Sequence, residues 1–312
     1  MKETTIILVP VYNDWTSLNR LVDDMTNVLA DRHDKQYRFL VVNDGSTDPV
    51  NIKGGGMIQL DVIHLSANAG HQKAIAAGLS YIHHHIQCSN ILIMDADGED
   101  QPSEAVKLLN NALLHPEKII IGERGKRMEG IIFKIYYKIY KLLFRLLTGK
   151  NIGFGHFMVV PGPLADRLVY LSDIWNNLAA TVLKSGMPNL KIRTNKGARY
   201  DGVSKMNFHA LLLHGLGAIA VFIETISVRL LIFSLAIIGL SSIIILGILG
   251  IKWFTDLAIP GWASVILSTI IIVLLQGFLL SLFTIFLFLS SRSSRKFIPA
   301  HHYTDYILAN NQ

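Results

Sequence analysis

The 312-residue sequence predicts an α/β domain on a mostly parallel sheet, followed by a two-helix membrane hairpin. Three observations lead there. Short apolar, β-branched runs alternate with helical patterns through the first third of the chain. Two long uncharged runs lie near the C-terminus. Of all residues 51% are hydrophobic and only 17% charged, whereas a soluble domain has about a quarter charged.

The elements follow in order. Residues 4–9 (TTIILV) are continuously apolar, as a strand buried on both faces requires. Asn13 and Asp14 offer an N-cap for a helix across 16–30. Residues 37–43 (YRFLVVN) form the next strand, ended by the turn DGSTD at 44–48. Residues 57–65 are a third, less regular strand, and 71–84 a helix. Residues 90–94 (NILIM) are a strand ending in DAD. A helix at 102–114 and a strand at 118–122 complete the alternation. Ligands of such sheets bind beyond the carboxyl ends of the strands. Both acidic turns, 44–48 and 95–100, lie there.

Residues 230–251 contain no charge in 22 positions, and 257–290 contain none either. A spanning helix needs roughly 20 apolar residues. The Pro260-Gly261 break starts the second helix near Trp262, and the short link makes the pair a hairpin. Buried core helices rarely stay uninterrupted for so long. The apolar run before Pro10 is too short for a signal peptide. Arg229 opens the first helix, and Arg292, Arg295 and Lys296 follow the second, while the link balances Lys252 against Asp256. The positive-inside rule then places the soluble part and both termini in the cytoplasm, on a multi-pass protein of the inner (plasma) membrane. Gln276, Gly239, Gly247 and Gly250 offer helix–helix contacts that would support a homo-oligomer. Cys88 is the only cysteine, so no disulfide forms within the chain.

The formal net charge is +6. Residues 123–150 hold eight basic and two acidic residues, which accounts for all of it. Such concentration argues against a nucleic-acid footprint and for a membrane partner. Lys134, Lys138, Lys141 and Arg145 share one helix face among Ile, Phe, Tyr and Leu, which suits the membrane interface. Anchoring alone would explain that stripe. Binding of an anionic group is the sharper reading.

Asp95, Asp97 and Glu99 recur at every second position after a strand. Hard oxygens in that pattern suit Mg²⁺ or Mn²⁺, although a solvated acidic turn looks the same. Asp44 offers an acceptor for a base or ribose, or simply an Asx turn. His83, His84 and His85 read as a solvated face, because helical metal ligands are spaced i, i+4. The run from Lys53 to Gly56 lacks the ending of a phosphate loop.

Four segments occur in order at strand ends: VPVYND (9–14), VVNDGSTD (41–48), SANAGHQKAIAAGL (66–79) and MDADGEDQP (94–102). Together they closely resemble the family 2 inverting glycosyltransferases of GT-A fold. With the hairpin, the chain is similar to the polyprenyl-phosphate branch, the relatives of dolichyl-phosphate mannose synthase. The resemblance spans 4–125 strongly, and 190–225 and the hairpin more loosely.

The resemblance implies a GT-A, Rossmann-like catalytic domain with these roles. Pro10, Tyr12, Asn13 and Asp44 would hold the nucleoside of a nucleotide sugar. Asn68, Gly70, His71 and Gln72 would line the donor site. Asp95, Asp97 and Glu99 would hold Mg²⁺ or Mn²⁺, with Glu99 replacing a frequent Gln. Arg199, Ser204 and Lys205 in GARYDGVSKMN would contact the phosphates. Arg124, Lys134 and Lys138 would grip the acceptor phosphate, Lys134 standing where Arg is common. No Q-x-x-R-W string occurs, which favours a single transfer per cycle. The expected organisation is a donor core at 1–130, an acceptor part at 131–226, a hairpin at 227–291 and a tail at 292–312. The expected function is metal-dependent, inverting transfer of one sugar to undecaprenyl phosphate. A non-catalytic nucleotide-binding membrane regulator and a transferase acting on polysaccharide or protein are the alternatives.

Overall fold

A computed structural model describes residues 3–32, 35–53, 58–124, 131–151, 153–201, 208–254, 261–293 and 297–308. Strand β1 (Thr4–Val11) leads to α1 (Trp15–Leu29), β2 (Gln36–Asn43), β3 (Gln59–His64) and α2 (His71–His85). Then come β4 (Asn90–Ile93), α3 (Pro102–Leu114), β5 (Ile119–Arg124), α4 (Ile131–Thr148), β6 (Met158–Pro161), α5 (Gly162–Leu168), α6 (Leu178–Ser185) and β7 (Asn189–Thr194). Helices α7 (Phe208–Ala220), α8 (Ile223–Phe254), α9 (Trp262–Ser293) and α10 (Pro299–His302) complete the chain.

The sheet runs β3-β2-β1-β4-β6-β5-β7. All neighbours are parallel except β6, which is antiparallel to β4 and β5. The mostly parallel expectation holds, with that one inversion. Alternate residues of β1 serve opposite faces, as strand geometry demands. Ile6 and Leu8 join a core beneath α2, while Ile7 and Val9 join one beneath α1 and α3. Both faces are therefore covered, and the buried strands read as unbroken apolar runs. Asp14 stands at the N-cap of α1, but its side chain makes no capping bond. Gly78 brings α2 onto the sheet: a Cβ there would lie 2.8 Å from Val42 Cγ2.

Two compact units form. The first contains the sheet, and the second contains α8 and α9, which pack along one another. Both helices are long and apolar enough to cross a membrane, with mean hydropathy 2.7 in each. Ser281 Oγ donates to Gly277 O at 3.0 Å and to Leu230 O of the other helix at 3.4 Å. Among the described residues, a Cβ built on Gly239, Gly247 or Gly250 would meet nothing within 4 Å beyond its own stretch of helix, so these glycines do not bring α8 and α9 together.

Residues 297–308 return to the first unit. Ser66 N donates to Tyr306 O, Leu308 N donates to His64 O, and Leu65 bridges Ile307. The three consecutive histidines that end α2 meet partners there and nearby rather than water alone. His84 stacks on Tyr303 at 5.2 Å and 12°, and its Nε2 lies 2.8 Å from Ala300 O. His85 Nε2 lies 2.9 Å from Tyr303 Oη, and His83 pairs with Asp166. Tyr303 is buried. Replacing Tyr303 by Ala is expected to destabilise the first unit by about 3 kcal/mol, the range of a buried aromatic. Thermal unfolding in detergent measures it, and an unchanged melting temperature would mean that the tail clamps nothing.

Candidate active site

The site forms where β1, β2 and β4 end, because these parallel strands present their carboxyl ends on one edge. Asn13, at φ +50°, ties the first two ends together. Its Oδ1 accepts from Thr47 N at 2.9 Å and Asp48 N at 3.1 Å, and its Nδ2 donates to Thr47 Oγ1 at 3.0 Å. Tyr12 beside it is exposed, and Pro10 is buried within β1.

Asp44 follows β2 and is almost fully buried. Its carboxylate accepts from Ala69 N at 2.7 Å and Gly70 N at 3.0 Å. Burial pushes the Asp44 carboxyl up, and the two amides and Lys73 oppose that shift. Asp44 thus shapes the loop carrying Asn68 and Gly70. Removing its acceptors would leave two amides short of partners, at about 1–3 kcal/mol each. Asp44→Ala is therefore expected to raise the donor KM by about tenfold or more, at 1.4 kcal/mol per tenfold. Initial rates over a concentration series of the expected donor measure it, and an unchanged KM would mean that the loop does not meet that donor.

Gly70, at φ +94°, turns the chain into α2 and puts His71 at its first position. Gln72, next in α2, ties that helix to α6: its Oε1 accepts from Leu178 N at 2.8 Å. His71 Nε2 lies 3.5 Å from Asp95 Oδ1 and 3.4 Å from His156 Nδ1. His156 Nε2 lies 2.9 Å from Asp95 Oδ1. Buried Phe154 and Phe157 fix the segment carrying His156, and Gly122 N donates to Phe157 O at 2.9 Å. Asp95 is held in turn by Asp100, whose Oδ2 accepts from Asp95 N at 3.1 Å.

Asp97 and Glu99 face a different set of partners. Asp97 Oδ2 pairs with Arg199 Nη2 at 2.8 Å, and Asp97 Oδ1 accepts from Glu99 N at 2.9 Å. Glu99 Oε1 pairs with Arg199 Nε and Lys196 Nζ, both at 3.0 Å. The segment 196–200 lies on the acidic turn, with Gly197 N donating to Glu99 O and Tyr200 N to Asp97 O. Gly98 makes room for it: a Cβ there would lie 2.7 Å from the Tyr200 ring. Burial and the Asp95 charge push Asp97 up to about 6, against the Glu99 amide and Arg199.

Among the described residues, His71, Asp95 and His156 offer one ligand atom each within 4.8 Å of one another. Neighbouring ligands of an octahedral ion at ~2.1 Å stand about 3 Å apart, so this donor set fits a divalent cation. His156 was not among the sequence-predicted residues. The signal was faint: one histidine in a glycine-rich stretch before a short apolar strand.

Residues 6–165 match the family model described as Glycosyl transferase family 2. That match covers just over half of the chain. The chain belongs to glycosyl transferase family 2. It is a glycosyltransferase, and its sheet is of the GT-A type. An uncharacterised glycosyltransferase of Bacillus subtilis, YkcC, is 26% identical over 269 residues, covering 83% of this chain and 81% of that one. The undecaprenyl-phosphate 4-deoxy-4-formamido-L-arabinose transferase of Yersinia pestis is 27% identical over 156 residues, 47% of this chain and 45% of the relative. The fold is also that of the glucosyl-3-phosphoglycerate synthase of Mycobacterium tuberculosis, solved with Mn²⁺, UDP-glucose and phosphoglyceric acid. There the TM-score is 0.52 at 15% identity, over 72% of this chain and 79% of that one.

Of the residues expected to hold an acceptor phosphate, Lys138 is exposed on α4, whose Ile139, Leu142, Leu143 and Leu146 are exposed as well. The Arg124 and Lys134 side chains lie outside the described residues, as do Ser204 and Lys205.

Proposed function

We propose that this glycosyltransferase moves one sugar from a nucleotide sugar to a polyprenyl phosphate such as undecaprenyl phosphate, with inversion, at the cytoplasmic face of the membrane. The observation that carries the reading is the convergence of Asp44, His71, Asp95 and Asp97 at one sheet edge, in a chain with two membrane-length helices. The relative named for undecaprenyl phosphate supports the acceptor class. The exposed basic and apolar residues of α4 suit an interface that delivers such a lipid.

The donor lies across the ends of β1 and β2, against Pro10, Tyr12, Asn13, Asp44, Asn68, Gly70, His71 and Gln72. Asn13 and Asp44 act there through the turns they hold. Asp95, Asp97 and Glu99 of the acidic turn would hold Mg²⁺ or Mn²⁺, which would supply Lewis-acid neutralisation of the departing nucleoside diphosphate. Arg199, Ser204 and Lys205 add charge and hydrogen bonds on the phosphates, Arg199 exchanging carboxylates for phosphate. Arg124, Lys134 and Lys138 hold the acceptor phosphate. A phosphate monoester has its second pKa near ~6 and is already anionic at neutral pH, so its oxygen attacks without a dedicated base. Positioning and electrostatics carry the rate.

A radiolabelled transfer assay tests this. Membranes bearing the protein are offered a panel of nucleotide sugars, undecaprenyl phosphate, and Mn²⁺ or Mg²⁺. Label should enter the lipid phase only when polyprenyl phosphate is present. Equal transfer without it would point to a polysaccharide or protein acceptor.

A further inference from the structure

We infer that Tyr306 is a positioning residue for sugar transfer: with the tail segment 303–308 it braces the loop 64–70 and the first turn of α2, and so sets the affinity for the nucleotide sugar. The inference deepens the proposed function and rests on its reading that this loop meets the donor.

Three observations carry it. The first is where the tail pairs. Leu308 N donates to His64 O at 2.9 Å, Ser66 N donates to Tyr306 O at 2.8 Å, and Leu65 bridges Ile307 between them. Three consecutive residues are thereby held just before Asn68 and Gly70. Asp44 holds the stretch that follows, through the amides of Ala69 and Gly70.

The second is how far that pairing reaches. Asn43 Nδ2 donates to His64 Nδ1 at 2.8 Å, Asn43 Oδ1 accepts from Ser46 N at 2.9 Å, and Ser46 Oγ accepts from Asn13 N at 2.9 Å. His64, which the tail pairs with, thus opens a chain of hydrogen bonds that ends at Asn13. Linked bonds of this kind reinforce one another.

The third is the Tyr306 ring. It meets Trp175 edge-on at 4.9 Å and 77°, and Phe297 at 5.8 Å and 83°. Lys73 Nζ stands 5.9 Å from its centroid, within reach of a cation–π contact. Lys73 follows Gln72, whose Oε1 accepts from Leu178 N. The first turn of α2 is therefore held at two adjacent residues, by Leu178 and by Tyr306. A tail needed for stability alone is served by the other end of α2, where Tyr303 meets His84 and His85. Tyr306 meets the end that carries the donor motif.

The test uses the full chain in detergent. Hydrogen exchange is read first, without substrate. Tyr306→Ala should speed exchange in residues 64–70 by about fivefold or more, the low end for coupled sites, while residues 102–114 keep their rate. The donor KM should rise by about fivefold or more, with kcat at saturating donor and the acceptor KM unchanged, because only donor binding is weakened. Tyr306→Phe keeps the ring and should restore both. A purely structural residue would not split the two KM values. Coupling is reciprocal, so the unsubstituted chain supplies a measurement that needs no variant. It is offered UDP-, GDP-, CDP-, ADP- and dTDP-sugars in turn with Mn²⁺, and whichever slows exchange in 66–72 should slow it in 303–308 as well. Unchanged exchange at 64–70 in Tyr306→Ala, or a sugar nucleotide that protects 66–72 and not 303–308, overturns the brace. An unchanged donor KM overturns its part in transfer. No protection of 66–72 by any of these sugars, with exchange still raised in Tyr306→Ala, sinks the proposed donor loop instead and leaves the tail a clamp without a part in transfer.

Discussion

Asp95→Asn is expected to lower kcat/KM for sugar transfer by about 10²–10³-fold, which is 2.7–4 kcal/mol of transition-state stabilisation. Asp95 touches both histidines of the candidate cation site and follows β4 directly, so no other carboxylate can take its place without moving the strand. The substitution keeps the shape of the side chain. It removes the charge that would hold the cation while leaving the Asp100 bond to the backbone of residue 95 intact. The fold should therefore survive, and circular dichroism together with a thermal melt separates lost chemistry from lost structure. The loss should appear in kcat as well as in KM, because neutralising the leaving group matters most as its charge develops. Steady-state kinetics with saturating acceptor read both. A variant with more than a tenth of the original kcat/KM would remove Asp95 from the reaction centre.

The strands that were legible are those buried on both faces. TTIILV, FLVV and NILI read as strands because they are apolar or β-branched at every position but Asn90, and the structure buries all of them except the first residues Thr4 and Asn90, so that no alternation survives. The helix at 102–114 was legible to the residue because Pro102 fixes its start. Segments 158–161 and 189–194 were not foreseen. The first has four residues, and the second is an edge strand alternating exposed and half-buried positions, so neither stands out against its loops. The antiparallel turn of β6 followed from the same gap. In the site, Asp44, Asp95 and Asp97 were visible because each ends an apolar run. The grouping was not. Asp95 and Asp97 are neighbours in sequence, yet one faces histidines and the other faces Arg199. Sequence spacing cannot show which way a loop turns its carboxylates. His156 lies sixty-one residues beyond Asp95 and is brought to it only by the pairing of β6 with β4. The hydrogen bond of the Gln72 side-chain carbonyl to the amide of Leu178 was not legible either, because it joins segments 106 residues apart.

Gly45→Ala is expected to cost the first unit about 2–5 kcal/mol, a large share of the ~5–15 kcal/mol that holds a domain together. Two separate effects add there. Gly45 sits at φ +65°, where an L side chain costs about 1–2 kcal/mol. A Cβ at that position also collides with backbone atoms of Ala67 and Asn68, and overpacking costs about 1–3 kcal/mol. The collision has no easy relief, because the Asp44 carboxylate holds the next two amides, Ala69 and Gly70, from the same side. Either the loop yields, and Asp44 loses its bonds, or the turn yields, and Asn13 loses Thr47 and Asp48. Gly186 supplies the control. It has nearly the same φ, +67°, but among the described residues a Cβ there would meet nothing within 4 Å beyond its chain neighbours. Gly186→Ala therefore carries the backbone strain alone, and the difference between the two melting temperatures isolates the collision. Gly45→Ala should also raise the donor KM, whereas Gly186→Ala should leave it unchanged. Equal losses of stability with no change in KM would mean that the turn after β2 and the loop before α2 do not form one donor-binding surface.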